Sequence, residues 1–403
     1  MKAIAALAAT MIGATAFASP GLAQVSDDVV KIGVLTDMTG VTSDVTGKGS
    51  LVAAQMAVEE FGGSVLGKPI QVISADHQHK VEVGATTARR WFDTEAVDVI
   101  ADIPNSAVAL SVQGIAKDKK RIALFSGAGT TALTNEQCSP YGFHWTYDTY
   151  GVSRGTASAV VKAGGDSWFI LASDYTFGHQ LQKDATEVIQ ANGGKVVGAV
   201  RHPLNASDFS SFILQAQSSG AKVIGIANAG GDTVNAMKAA REFGLVQGGQ
   251  NLAALLMFIN DVHSLGLDTT QGTYLTTASY WDTDDATRAW SRKFKERVGA
   301  MPSMLQTGVY GSVLHYLKAV KAAGTDDADK VAAAMRSMLI EDVFTKKASI
   351  REDGRVMRDM YLAKVKAPSQ SKYDWDYFEI VREIPAEDSA WPLSESKCPL
   401  VKK

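Results

Sequence analysis

Cysteine is nearly absent: 403 residues hold only two, Cys138 and Cys398. Neither Cys-x-x-Cys nor His-x-x-x-His occurs among the two cysteines and seven histidines. The spacings that mark most zinc and iron–sulfur sites are therefore missing, and no metal or other cofactor is expected. An excess of one charge is lacking too. Forty Lys and Arg are mixed along the chain with 43 Asp and Glu, for a formal net charge of −3. That balance gives no electrostatic reason to expect nucleic acid or an anionic membrane as a partner. Long apolar runs are confined to the first two dozen residues, where Lys2 is the only charge before Asp27. The run is broken by Ser19-Pro20-Gly21, which makes it marginal for a membrane span, and Gly21-Leu-Ala23 precedes Gln24. Residues 1–23 thus read as a signal peptide cleaved after Ala23, and with no cysteine at the cleavage point a lipid anchor is not expected. The mature protein is expected outside the cytoplasm. In such an oxidising compartment Cys138 and Cys398 pair as one disulfide, tying the tail 392–403 to the loop after Gly127; the competing reading is two unpaired thiols.

What is present in quantity is a regular alternation. A chain of this length exceeds one ordinary core and suggests two domains. From Val30, strands at Lys31–Asp37, Ile70–Ala75, Val97–Ile103 and Ile122–Ser126 alternate with helices at Val45–Phe61, Val83–Thr94 and Val108–Lys117. Tyr141–Tyr147 reads as an aromatic strand leading out of this set. A second set follows, with strands at Ser167–Ala172, Lys195–Val200, Lys222–Ala227 and Ala253–Phe258 between helices at Gly151–Ala163, Phe177–Ala191, Phe209–Ser218 and Thr233–Phe243. Such repeated βαβ grammar predicts an α/β fold of two doubly wound parallel sheets. Three helices, Asp284–Val298, Leu305–Ala323 and Asp327–Met338, have no strands of their own and need the first sheet to pack on. Thr273–Ser279 and the short strands Ala348–Ile350, Tyr361–Val365 and Tyr377–Val381 complete the chain. Crossing between lobes more than once makes a hinge, and a hinge between two open sheets makes a clamp.

Two turns carry the chemistry. Asn105 and Ser106 follow a strand and open a helix, and Gly127-Ala-Gly-Thr-Thr131 follows the next strand in the same way. A helix N-terminus presents unpaired N–H groups and about half a positive charge, which favours a small carboxylate without any lysine or arginine. The plain alternative for Asn105 or Ser106 is capping of its own helix. Two adjoining polar strand ends in an open sheet nevertheless make a crevice for a ligand. Catalytic readings are poorer. Gly127–Ala132 fits G-x-G-x-x-A, but after the fourth strand and with Asn135–Pro140 interrupting the receiving helix. Gly151-Val-Ser-Arg-Gly155 fits G-x-S-x-G, but Asp148-Thr-Tyr150 separates Ser153 from the strand, so Ser153 reads as a helix residue. His77 and His79 read as loop residues and His144 as a satisfied sheet histidine. No catalytic residue is assigned.

Taken together, Val30–Gly40, Leu66-Gly-Lys-Pro69, Val99–Ser106, Phe125–Thr131, Phe177-Gly178 and Asp208-Phe209 occur in the order seen in periplasmic solute-binding proteins of ABC importers. Over the whole mature chain the sequence resembles the branched-chain amino acid (Leu/Ile/Val) binding type. The resemblance implies a type I periplasmic binding fold with three hinge crossings, lobe 1 comprising 28–147 plus 282–345 and lobe 2 148–278 plus 346–391. It implies a monomer in the periplasm, closing on one small ligand that is passed to a membrane permease. Carried over by position, the ligand carboxylate falls to Asn105 or Ser106 with Ala128, Gly129 and Thr130, and the ring wall to Tyr175 and Phe177. Asn228 replaces an aromatic, Asn260 or Asp261 is placed to meet an ammonium, and Thr42 and Ser43 sit on the lid. The implied ligand is a branched-chain or related amino acid, with an aromatic or keto acid as the alternative; a sensing module or a secreted enzyme is more remote.

Overall fold

The computed structural model describes residues 25–402, so the expected signal peptide lies outside the described residues. The first sheet has the order Ser64–Val65, Lys68–Asp76, Val30–Thr36, Val99–Asp102, Ile122–Phe125, Gly142–His144, all parallel except the short Ser64–Val65 hairpin arm. Its central strands Val99–Asp102 and Ile122–Phe125 are buried along their whole length, as parallel strands covered on both faces must be. Register sets the working edge. Leu35 pairs with Asp102, Asp102 with Phe125 and Phe125 with His144, so the strands end level and their following turns share one carboxyl edge. Of the expected strand Tyr141–Tyr147, only Gly142–His144 pairs.

Helices Gly47–Phe61, Asp285–Val298, Met304–Ala323 and Ala328–Ser337 share a core with one face of this sheet through Val52, Phe294, Val313 and Val331. Helices Val81–Asp93 and Ser106–Lys119 cover the other through Trp91 and Val112. The long helix Met304–Ala323 starts with a capping box, Ser303 accepting from Gln306 N–H while the Gln306 side chain accepts from Ser303 N–H, and stops at Gly324 in the left-handed region.

The second sheet runs Asn251–Ala254, Val223–Ala227, Ser167–Ser173, Lys195–His202, all parallel. Val223–Ala227 and Ser167–Ser173 are wholly buried, whereas Lys195–His202 alternates in exposure as an edge strand does. The expected strand Ala253–Phe258 is shorter and earlier, Asn251–Ala254, and the helix Ile259–Leu265 follows after four intervening residues. An antiparallel sheet, Tyr274–Thr277, Met360–Val365 and Phe378–Ile384, joins this lobe through Met360, Leu362 and Ile384.

A third small sheet, Ile340–Asp342, Thr345–Ile350 and Val356–Met357, corrects one expectation. Ala348, Ile350 and Val356 pack with Val309, Leu317 and Val331 in the first core, so residues 346–357 go with lobe 1 and not lobe 2. The apolar faces of Met304–Ala323 and Ala328–Ser337 need that cover. The chain passes between the sheet systems at 145–148, 278–284 and 358–359. Charged contacts tie these passages together. Arg355 Nε lies 2.9 Å from Asp148 Oδ2 with both side chains 2% exposed, and Arg358 Nη2 donates to Ala278 O at 2.9 Å and Phe344 O at 3.2 Å.

The tail touches both lobes. The Trp391 ring lies 4.9 Å from that of Tyr150, on the helix Thr149–Lys162. Arg351 Nη1 donates to Trp391 O at 2.9 Å, and Cys398 is bonded to Cys138. Among the described residues no helix is long and apolar enough to cross a membrane.

Candidate functional site

The two turns singled out from sequence adjoin. Thr130 N–H donates to Ser106 Oγ at 3.3 Å, joining the tip after Ile122–Phe125 to the N-terminus of the helix Ser106–Lys119. Asn105 does cap that helix: its Oδ1 accepts from Ala107 N–H at 2.9 Å and Val108 N–H at 3.1 Å. Gly129 is a place of close approach, where a Cβ would come within 2.7 Å of the Phe177 ring and 2.9 Å of Tyr147. The turn is fastened from behind by Tyr147 Oη donating to Gly127 O at 3.1 Å, Thr149 N–H to Gly129 O at 2.8 Å and His144 Nε2 to Ala128 O at 2.7 Å. His144 is thus a sheet histidine serving this turn, and burial beside Arg355 pushes its ionisation down to about 4. Phe177 opens the second lobe's helix Thr176–Ala191, and that helix contacts Ser106–Lys119 across the gap. Gly129 therefore faces the other lobe.

The loop after Val30–Thr36 forms a lid folded around Asp37. That carboxylate accepts from Gly40 N–H at 2.7 Å, Thr42 N–H at 2.9 Å, Thr42 Oγ1 at 2.8 Å and His79 Nε2 at 2.7 Å. Burial alone would raise its ionisation, yet His79 and the Thr42 donors hold it well below the usual carboxylate range. Thr42 is thereby committed to the lid's own structure. Ser43, Thr39, Val41, Asn260, Asp261 and Gly230 line a cavity of about 320 Å³ between the lobes, with Lys238 also on its wall. The lobes meet beside it, where Gly231 N–H donates to Val41 O at 2.8 Å. Gly230 has φ 54°, and a Cβ there would stand 2.2 Å from Val41 O, so only glycine permits this approach.

On the second-lobe side the rings of Tyr175 and Phe177 lie 6.0 Å apart, and burial, with Asp232 and Asp37 nearby, raises the Tyr175 phenol's ionisation. Asn228 is turned inward: its Oδ1 accepts from Ser173 Oγ at 3.0 Å and sits 2.9 Å from His202 Nε2. Asp261 accepts from Phe258 N–H at 2.9 Å, and burial pushes it up to about 7, so it caps its own short helix. Asn260 Nδ2 donates to Met301 O at 3.3 Å, leaving Oδ1 without a partner.

Sequence reasoning passed over Asp37, Tyr147 and Asp232 and left His79 on a loop. Asp232, fully buried, accepts from Asn205 N–H at 3.0 Å through Oδ2, while Oδ1 has no partner and burial raises its ionisation. A signal existed for Asp37, an acid directly after a strand with Gly40 and Thr42 following, which is a common loop-closing pattern. Ser153, the centre of the G-x-S-x-G match, lies inside Thr149–Lys162 and donates to Thr149 O at 2.7 Å. The G-x-G-x-x-A match runs only into the short 3-10 turn Thr131–Thr134. Chemically, the assembled edge offers the hydroxyls of Ser106 and Thr130 to a small anion on one side and the rings of Tyr175 and Phe177 on the other.

The geometry matches known proteins. The periplasmic binding protein family matches residues 29–372. A periplasmic binding protein from Burkholderia mallei superposes with a TM-score of 0.91 at 53% identity, covering 93% of this chain and 100% of that one. A branched chain amino acid ABC transporter periplasmic ligand-binding protein from Burkholderia xenovorans LB400 superposes with a TM-score of 0.82 at 40% identity, with the same coverage. The Leu/Ile/Val-binding protein homolog 6 of Brucella melitensis is 27% identical over 322 residues, 77% of this chain and 81% of the relative. From its two-lobed fold, its level strand tips and these matches, the chain belongs to the periplasmic binding protein family.

Proposed function

We propose that the protein is the extracytoplasmic solute-binding component of an ABC importer, exported behind residues 1–23 and delivering a small carboxylate to a membrane permease. The observation that carries this is the joining of Ser106 Oγ to Thr130 N–H opposite Phe177, donors on one lobe facing rings on the other. Ligand contacts made only when the lobes are together favour the closed form. Converting a mostly open population to a mostly closed one takes about 5 kcal/mol, within reach of several charge-assisted hydrogen bonds to a carboxylate. The family relatives point to a branched-chain or related amino acid. An aromatic or keto acid is the second reading. It is favoured by Asp261, whose carboxyl is spent on Phe258 N–H and held near neutrality, leaving it little charge for an ammonium.

A thermal-shift panel of L-leucine, 4-hydroxybenzoate and 4-methyl-2-oxopentanoate separates the two, since a ligand at one hundred times its Kd adds about 2.7 kcal/mol of apparent stability. Thr130→Val is expected to weaken binding of the stabilising acid about tenfold, the worth of one lost hydrogen bond, while the ligand-free Tm falls only by the loss of the long Ala132 N–H cap to Thr130 Oγ1. Equal affinity would take Thr130 out of the site.

A further inference from the structure

His79 occupies a position that neither its loop nor its burial explains. Its Nδ1 lies 3.0 Å from Asn105 Nδ2, and its Nε2 lies 2.7 Å from Asp37 Oδ2 and 3.2 Å from Thr42 Oγ1. The orientation of the Asn105 amide is fixed, because Oδ1 already accepts two helix N–H groups and a flip would turn an NH2 onto them. Nδ2 is therefore the atom facing the imidazole, and as a pure donor it requires an unprotonated Nδ1. The ring proton then sits on Nε2 and is donated to Asp37. A one-way series results: helix N–H to Asn105, Asn105 to His79, His79 to Asp37. The backbone is bent to allow it, with φ 52° at Gln78 and 55° at His79, a region that non-glycine residues hold only where surrounding contacts over-determine it. One such contact is His79 N–H donating to His77 Nδ1 at 3.0 Å, with the His77 ring kept neutral by burial and pushed down to about 4.

The two ends of the series are the parts that must act together. Asn105 caps the helix whose N-terminus stands beside Thr130, and Asp37 gathers the lid whose Val41 O receives Gly231 N–H from the other lobe. We propose that His79 is a positioning residue, a single-tautomer imidazole that couples the carboxylate-binding helix terminus to the lid and so to the contact between the lobes. This rests on the solute-binding reading above.

The test uses the full mature chain and whichever acid of the panel stabilises it. In the unaltered protein, 15N-detected imidazole resonances should show Nδ1 unprotonated and Nε2 protonated. His79→Leu should raise Kd about tenfold and speed amide exchange over residues 38–46. His79→Gln, whose amide offers one acceptor and one donor at similar spacing, should restore both. A protonated Nδ1, unchanged exchange in the Leu variant, or a Gln variant that behaves like Leu would each overturn the proposal. If no acid of the panel binds, the solute reading fails by itself, while the tautomer and exchange measurements still decide the role of His79. Should the Leu variant not fold, the resonances of the unaltered protein and of the Gln variant decide it.

Discussion

The two walls of the cleft treat the same residue type in opposite ways. Asp37 on the first lobe and Asp261 on the second are both buried carboxyls, and burial pushes each upward. Asp37 collects Gly40 N–H, two groups of Thr42 and His79, and stays ionised well below the usual range. Asp261 takes Phe258 N–H and rises to about 7. Several donors offset burial at Asp37, whereas a single backbone N–H does not offset it at Asp261. The same contrast runs through the walls as a whole. On the first lobe Asp37, Asn105 and Ser106 are engaged with one another's elements, whereas Asp232 Oδ1 and Asn260 Oδ1 across the gap have no partner among the described residues. Those two oxygens are acceptors left for a donor.

The covalent anchoring is lopsided as well, and removing it should sharpen the comparison most. Cys138 and Cys398 are 260 residues apart, and closing so long a loop is worth roughly 5 kcal/mol in the chain-entropy description, usually less in practice. Replacing both by Ser should lower Tm and increase amide exchange over 99–144 and the tail, with the second sheet little changed. Equal loss of protection over 167–227 would break the asymmetry. Next in size is Arg355→Ala, which strands Asp148 as a buried unpaired carboxylate at a passage between the lobes. Urea unfolding should show a loss of about 3–5 kcal/mol, felt by both lobes together. A loss below 1 kcal/mol, the level of an exposed pair, would show that Asp148 finds another partner or water.

Much of this was legible in order along the chain. The buried strands Val99–Asp102 and Ile122–Phe125 are short apolar runs ending in turn residues, and the turns at Asn105 and Gly127–Thr131 were found because that grammar is local. Ser303 and Gly324 mark a helix by rules that need no tertiary knowledge. What escaped depends on pairing across distance. Thr345–Ile350 reads as a strand in either lobe until the apolar faces of Met304–Ala323 and Ala328–Ser337 claim it. His79 reads as an ordinary loop histidine because its partners Asp37 and Asn105 are 42 and 26 residues away. Asn228 is a ligand candidate by position, yet its amide oxygen also accepts from Ser173 and lies 2.9 Å from His202, a pairing visible only once the sheet is assembled.

The smallest effect tests the donor argument on an acid just behind the first wall. Asp102 ends its strand at φ 80°, accepts from Thr36 Oγ1 at 2.6 Å, and leaves Oδ1 unpartnered; burial pushes it up to about 7. Between an unfolded value near 4 and that folded value, the native state keeps a proton the unfolded chain has lost. Stability contributed by this group is therefore full below about pH 4, falls as pH rises, and levels off above about 7. Asp102→Asn keeps the shape, tolerates the left-handed backbone and cannot titrate. Asp98 and Asp184, also pushed up to about 7, remain in both proteins and cancel in the comparison. The stability of the variant relative to the unaltered protein should thus grow by at most about 1.4 kcal/mol between pH 5 and pH 6, measured by urea unfolding at each pH. Parallel pH curves would mean that Asp102 is ionised in the fold like Asp37, and that donors do not separate the two acids after all.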